Sequence, residues 1–315
     1  MDVRLIALEL GPQLGSGGQG KVHRVANIPG QVLKRYYHQN VNADSLRELV
    51  EFPASLDEHD RASLLERTAW PDRRVTDGGR VIGFLMQEAP AHFLGRTAAG
   101  QKPRELQYLL YQPKALWGDI RPLDAAGRIR LAQDFVSFMR LLHRNLLAIG
   151  DISMTNVLWS AGPPVRVFVI DCDGIRRIGH PPVLRQPETP GWEDPQMPRT
   201  GPDLDTDSYK VALVIGRMLA ASSTVRPGEP LRLVPGIPDV VAGPVGECFA
   251  EAGGKYGSRP TVERWARALS GREMMQVAPP PPVRRAGPAL PQAPVEQKRP
   301  GQRDSIPVRP VDKRP

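Results

Sequence analysis

Asp151 and Asn156 stand five residues apart in the segment IGDISMTN, and fifteen residues after Asn156 the apolar run VRVFVI ends in Asp171, Cys172 and Asp173. One carboxylate followed by two hard oxygen donors is a set suited to phosphoryl transfer. That reaction asks little covalent work of a protein, but it needs a carboxylate beside the incoming hydroxyl and oxygen ligands that fix Mg²⁺ on the phosphates. Residues 15–22, GSGGQGKV, add four glycines in eight positions, which let backbone N–H groups approach an anion such as phosphate. Lys34, set among the apolar residues of QVLKRYY, adds a cation on a strand.

Three phosphate loops match the glycine stretch in part. Gly15, Gly20 and Lys21 nearly spell the nucleotide-triphosphatase loop, but Val22 stands where Ser or Thr must ligate Mg²⁺. Gly15, Gly17 and Gly20 also fit the dinucleotide fingerprint, which should open a helix. The adjoining KVHRVANIPGQVLKRYY is instead rich in β-branched residues and turn signals, and it reads as strand, turn, strand. The remaining pattern, G-x-G-x-x-G-x-V with Val22 in the last place, is a glycine flap between antiparallel strands.

The elements that must position these groups are legible nearby. In RIRLAQDFVSFMRLLH, Ile129, Ala132, Val136, Met139 and His143 form one helical stripe, so a buried helix runs up to the loop that holds Asp151. NADSLRELVEF reads as a shorter helix capped by Asn42, and TDSYKVALVIGRMLA as one apolar on most faces. With 315 residues the chain can bury a sizeable core, and its two widely separated cysteines point to neither disulfides nor zinc, in keeping with a reducing cytoplasm. No signal peptide or membrane span is expected. The net charge is +8, but residues 277–315 hold eight Lys or Arg against three acids and carry +5 of it. That proline-rich stretch is expected to be a disordered basic tail, with a partner of its own as one use. The remainder is near neutral, and nucleic-acid binding is not expected of it.

From about Leu8 to Leu269 the sequence resembles the protein-kinase-like superfamily, most of all a divergent bacterial serine/threonine kinase. IGDISMTN keeps the Asp and Asn of H-R-D-x-x-x-x-N, and D-C-D stands in place of D-F-G. The resemblance implies an α+β, bilobal fold: a small antiparallel-sheet lobe over 1–89, a mainly helical lobe over 90–276 and a tail over 277–315. It implies ATP and Mg²⁺ as cofactors and a protein as substrate. Asp151 would be the base, Lys34 the phosphate-binding lysine, Asn156 and Asp171 the metal ligands, and Gly15, Gly17, Gly20 and Val22 the flap. Glu88, within the stretch 87–89, would offer backbone groups to adenine, and Glu48, or else Glu51, would pair with Lys34. Asp173 is the alternative metal ligand.

Several departures carry expectations of their own. Gly150 replaces the arginine that grips an activation-segment phosphate, so activity should not require that modification. HPPVLRQPETPGWEDPQ resembles the activation segment, with Asp194-Pro195-Gln196 in place of A-P-E. Gln196 cannot pair with Arg259 of the closing R-P-T helix, so that anchor should be weaker or borrowed from Glu193. Asp207 of T-D-S-Y should accept backbone hydrogens of the catalytic loop. The tripeptides IGD and IDCD also lean toward small-molecule kinases similar to aminoglycoside and choline kinases. A nucleotide-binding scaffold without activity is the third reading, favoured by Cys172-Asp173 and by Ser153 where a lysine is usual.

Overall fold

The computed structural model describes residues 2–38, 40–185 and 188–271, so the expected basic tail lies outside the described residues. Its first part is a six-stranded sheet of order β1-β5-β6-β4-β3-β2. The strands are β1 (Val3–Arg4), β2 (Leu10–Ser16), β3 (Gly20–Val25), β4 (Gln31–Tyr36), β5 (Arg73–Asp77) and β6 (Arg80–Gln87). Helices α1 (Ala43–Glu51) and α2 (Glu58–Glu66) lie between β4 and β5 in sequence. The sheet is antiparallel except at its edge, where the short β1 runs parallel to β5, a departure from the purely antiparallel expectation.

Period-two alternation on β4 sets what faces the cleft. Val32, Lys34 and Tyr36 share one face, and Val32 and Tyr36 belong to the main core with Phe84 and Met86 of β6. Leu33 points the other way, into a separate cluster with Leu8, Val25, Val75 and Leu85. Two glycines allow the neighbouring strands to close on β4. A Cβ at Gly20 of β3 would lie 2.3 Å from the Arg35 carbonyl oxygen, and one at Gly83 of β6 would lie 2.1 Å from that of Lys34. Both positions therefore require glycine.

A hairpin of β7 (Leu94–Thr97) and β8 (Gly100–Pro103) and a short α3 (Gln107–Leu110) lead to the helical part. There α4 (Ala125–Arg144) begins at Asp124, whose side chain accepts from the Gly127 N–H, and it buries Ala132, Val136 and Met139 of the expected stripe. Four short strands come next: β9 (Leu147–Ala148), β10 (Val157–Trp159), β11 (Val167–Val169) and β12 (Arg176–Arg177), paired as β9·β12 and β10·β11. The central helix α5 (Leu204–Ala220) starts with a capping box of Asp203 and Thr206 and is buried on nearly every face. Helices α6 (Asp239–Ala252) and α7 (Val262–Ser270) complete the layer. An N-terminal sheet and a helical C-terminal part make this the α+β, bilobal arrangement of a protein-kinase-like fold. Among the described residues, no helix is long and apolar enough to cross a membrane.

Candidate functional site

β4 carries Lys34 into a setting that is almost dry. Its ammonium donates to Asp173 Oδ1 at 2.6 Å and to Asp171 Oδ1 at 3.0 Å, with the Lys34 side chain 6% exposed. Burial alone would lower the ammonium's pKa, but the two carboxylates outweigh it and hold the group above the ordinary lysine value. The Tyr36 hydroxyl, two residues on along the same face, donates to Asp173 Oδ2 at 3.0 Å. Val22 pairs in register with Lys34 on β3, and the Phe84 ring lies 6.0 Å from the ammonium.

Asp171 comes just after β11 and adopts a left-handed backbone, φ 58° and ψ 39°, an uncommon conformation for a residue with a Cβ. The adjoining Ile170 N–H donates to the Asn156 carbonyl at 2.9 Å, and Asn156 Nδ2 reaches the Asp151 carbonyl at 3.4 Å. Lys34, Asp171, Asn156 and Asp151 are thus joined through one short chain of contacts. Asp171 keeps 40% of its side chain exposed, and the Asn156 amide oxygen accepts from the Thr155 hydroxyl at 3.3 Å. Carboxylate and amide oxygens are the donor types that Mg²⁺ takes.

The loop bearing Asp151 is held from beneath by α5. Asp207, fully buried, accepts the Ile149 N–H at 2.7 Å and the Gly150 N–H at 3.3 Å, the role expected of it, and His143 of α4 sits 3.3 Å from the same carboxylate. Asp151 itself accepts from Thr189: its Oδ1 lies 3.0 Å from the hydroxyl and 3.3 Å from the N–H. Burial raises the pKa of Asp151, while the Thr189 hydrogen bonds and the charge of Lys210 oppose the rise. Lys210, 1% exposed on α5, donates to Glu188 Oε1 at 2.6 Å. Its signal in the sequence is a lysine inside an otherwise apolar helix, which periodicity alone passes over.

Two expectations are corrected. Glu48 does not pair with Lys34 here: it accepts from Arg177 Nε at 2.9 Å and from His180 Nδ1 at 3.0 Å, because the α1 face that carries it meets the segment after Asp173. Glu51, the other choice, is exposed. The Glu88 N–H donates to the Gly30 carbonyl at 2.8 Å, and its carboxylate pairs with Arg24. Arg259 is anchored by Asp194 rather than Glu193, through Nη2 to Oδ1 at 2.8 Å and a second contact from Nη1 to Oδ2, with both side chains fully buried. Gln196 instead joins the Gly254 carbonyl and the Tyr256 N–H.

In the glycine stretch, Gly15 closes into β2 opposite Val22, and the Gly17 N–H donates to the Gly20 carbonyl at 3.0 Å to make the turn. Cβ atoms at Gly15, Gly17 and Gly18 would meet nothing within 4 Å. The flap tip is open to a ligand, whereas Gly20 answers to the neighbouring strand.

The fold is compatible with a bilobal kinase-like arrangement, and comparison with known proteins points the same way. The chain is 24% identical over 307 residues to protein kinase YegI of Escherichia coli (strain K12), an alignment that takes in 82% of this chain. It spans 44% of that relative's length. No family model matches the chain. The similarity supports a kinase-type relationship.

Proposed function

We propose that the protein transfers the terminal phosphoryl group of ATP to Ser or Thr hydroxyls of a protein substrate. The observation that carries this reading is the Thr189 hydroxyl donating to Asp151 Oδ1 at 3.0 Å, since it fixes a threonine in hydrogen-bond reach of the carboxylate that the reading makes the base. Asp151 orients the acceptor hydroxyl and takes its proton. Burial, which raises the carboxyl's pKa, makes it a stronger base than an exposed aspartate. Lys34 orients the nucleotide phosphates, and Gly15 to Gly20 cover them with backbone donors. Mg²⁺, held by Asn156 and Asp171, would neutralise charge that builds on the phosphate oxygens.

A protein acceptor is favoured over a small alcohol by the long segment from Thr189 to Gln196, which the buried Asp194–Arg259 pair fastens to the helical part. We place the protein in the cytoplasm on the same reading. Incubation with labelled ATP and Mg²⁺, with a generic protein acceptor or with small alcohols, tests it. Label in protein supports the proposal, label in alcohols replaces it with a small-molecule kinase, and retained ATP binding without transfer replaces it with a scaffold. Asp151→Asn should keep ATP binding and lower turnover by about 10² to 10⁴. Unaltered turnover would remove Asp151 from the role.

A further inference from the structure

A buried ammonium needs a carboxylate that stays with it. Lys34 has two within reach, but in the phosphoryl-transfer reading, on which this inference rests, Asp171 is given over to a metal ion. Asp173 is the one that remains. Its side chain is 1% exposed, Lys34 is 2.6 Å from one of its oxygens and the Tyr36 hydroxyl 3.0 Å from the other, so both contacts come from one face of β4. A carboxylate enclosed to this degree is stable only while paired and hydrogen-bonded.

Glu48 is committed elsewhere, with one oxygen on Arg177 and the other on His180. Two further bonds tie the same helix to the same segment. The Asn42 N–H donates to the Val183 carbonyl at 2.9 Å, and the Ser45 hydroxyl donates to the Pro181 carbonyl at 2.9 Å. Helix α1 is therefore fastened along residues 177–183 from its cap to its second turn.

We propose that Asp173 is the positioning residue for Lys34, and that Glu48 holds the segment 177–183 against α1. Two jobs are exchanged relative to the pairing expected from the sequence. The lysine is set from the turn after β11, next to Asp171, so a shift of α1 leaves Lys34 in place. What such a shift releases is the segment that leads to Thr189.

The test uses the full chain with Lys34→Met, Asp173→Asn, Glu48→Gln and the double variants Lys34→Met/Asp173→Asn and Lys34→Met/Glu48→Gln. Thermal melting needs no activity. Lys34→Met leaves the enclosed Asp173 carboxylate without its cation, whereas Asp173→Asn leaves Lys34 with Asp171, so the double Lys34→Met/Asp173→Asn should melt above Lys34→Met alone. Affinity for a fluorescent ATP and kcat/KM for ATP give the second readout. Asp173→Asn should lower kcat/KM by about 10- to 100-fold, as loss of an outer-shell carboxylate does. It should cost little more once Lys34 is Met, whereas Glu48→Gln should multiply with Lys34→Met. Hydrogen exchange gives the third: Glu48→Gln should speed exchange over 177–183 and Asp173→Asn should not.

Coupling of Lys34 to Glu48 rather than to Asp173, in melting or in affinity, overturns the proposal. If Asp173→Asn fails to fold, Tyr36→Phe, which removes only the other support of Asp173, should lower ATP affinity in the wild-type background and not beside Lys34→Met. Additive loss there also overturns it. A wild-type chain that transfers no phosphate refutes the functional reading alone, because the melting and exchange patterns still decide the exchange of partners.

Discussion

Replacing Asp194 by Asn removes the charge opposite Arg259 while keeping the size of the side chain. Both groups are fully buried, and Arg259 also donates to the Asp205 carbonyl at 3.2 Å and lies 4.9 Å from the Tyr209 ring. Those contacts remain, as does the partly exposed Asp205 carboxylate 3.3 Å from Nη1, but the guanidinium loses the fully buried partner that meets both of its Nη atoms. Breaking a buried pair by deleting one partner costs about 3 to 5 kcal/mol. For a folded unit of some 270 residues, where each kcal/mol moves the melting temperature by roughly 2 to 4 °C, that is a fall of about 6 to 20 °C. Glu193→Gln, at a half-buried position beside it, should move the midpoint by less than about 2 °C, since changes away from buried pairs stay within about 0.5 kcal/mol. Calorimetry of the two variants and of Asp194→Leu/Arg259→Met provides the assay. The double variant should regain part of the loss, because an apolar pair of similar volume strands no fully buried charge and leaves only the partly exposed Asp205 carboxylate without its cation. A fall for Glu193→Gln equal to that for Asp194→Asn, or none for Asp194→Asn, would refute the reasoning.

Gly20→Ala should destabilise by about 1 to 3 kcal/mol through the clash with the Arg35 carbonyl, whereas Gly17→Ala, with open space at its Cβ, should change stability by less than about 1 kcal/mol. Urea unfolding of the pair decides this, and equal losses would contradict the strand-contact explanation. Burial holds the Asp151 carboxyl above the ordinary aspartate range, and the ionised form is the working one, so turnover should fall with decreasing pH along a limb displaced upward. Thr189→Val deletes a hydrogen bond that favours the carboxylate and should move that limb to still higher pH; a shift downward would count against the geometry. Burial pushes the Cys172 thiol well up and the Cys248 thiol up to about 11, so neither should react with a thiol reagent at pH 8 until the protein is unfolded. Rapid labelling of the native chain at either position would show that its packing is wrong.

Local pattern made much of this molecule readable. The glycine hairpin, the strand that carries Lys34, the Asn42 cap and the helix over 128–143 arise from turn chemistry and periodicity, which act within a few residues. The role of Asp207 was legible through the resemblance, which the T-D-S-Y motif at the head of α5 carries. Partner choice was not. Whether Lys34 meets Glu48 or Asp173, and whether Arg259 meets Glu193 or Asp194, depends on how helix faces rotate and how far side chains reach across the interior. A helical wheel places Glu48 on the flank of α1 without saying that residues 177–180 will be there to receive it. Asp194 differs from Glu193 by one position, which in an extended segment reverses the direction of the side chain.

The two glycines that flank β4 bear on how this molecule would close over a ligand. With Gly20 wedged against Arg35 and Gly83 against Lys34, the three strands are keyed together and must travel as one slab. Bending is confined to the few unclasped residues at the hairpin's crest, so a guest would be gripped by a fingertip that curls, while the lysine beneath it holds still.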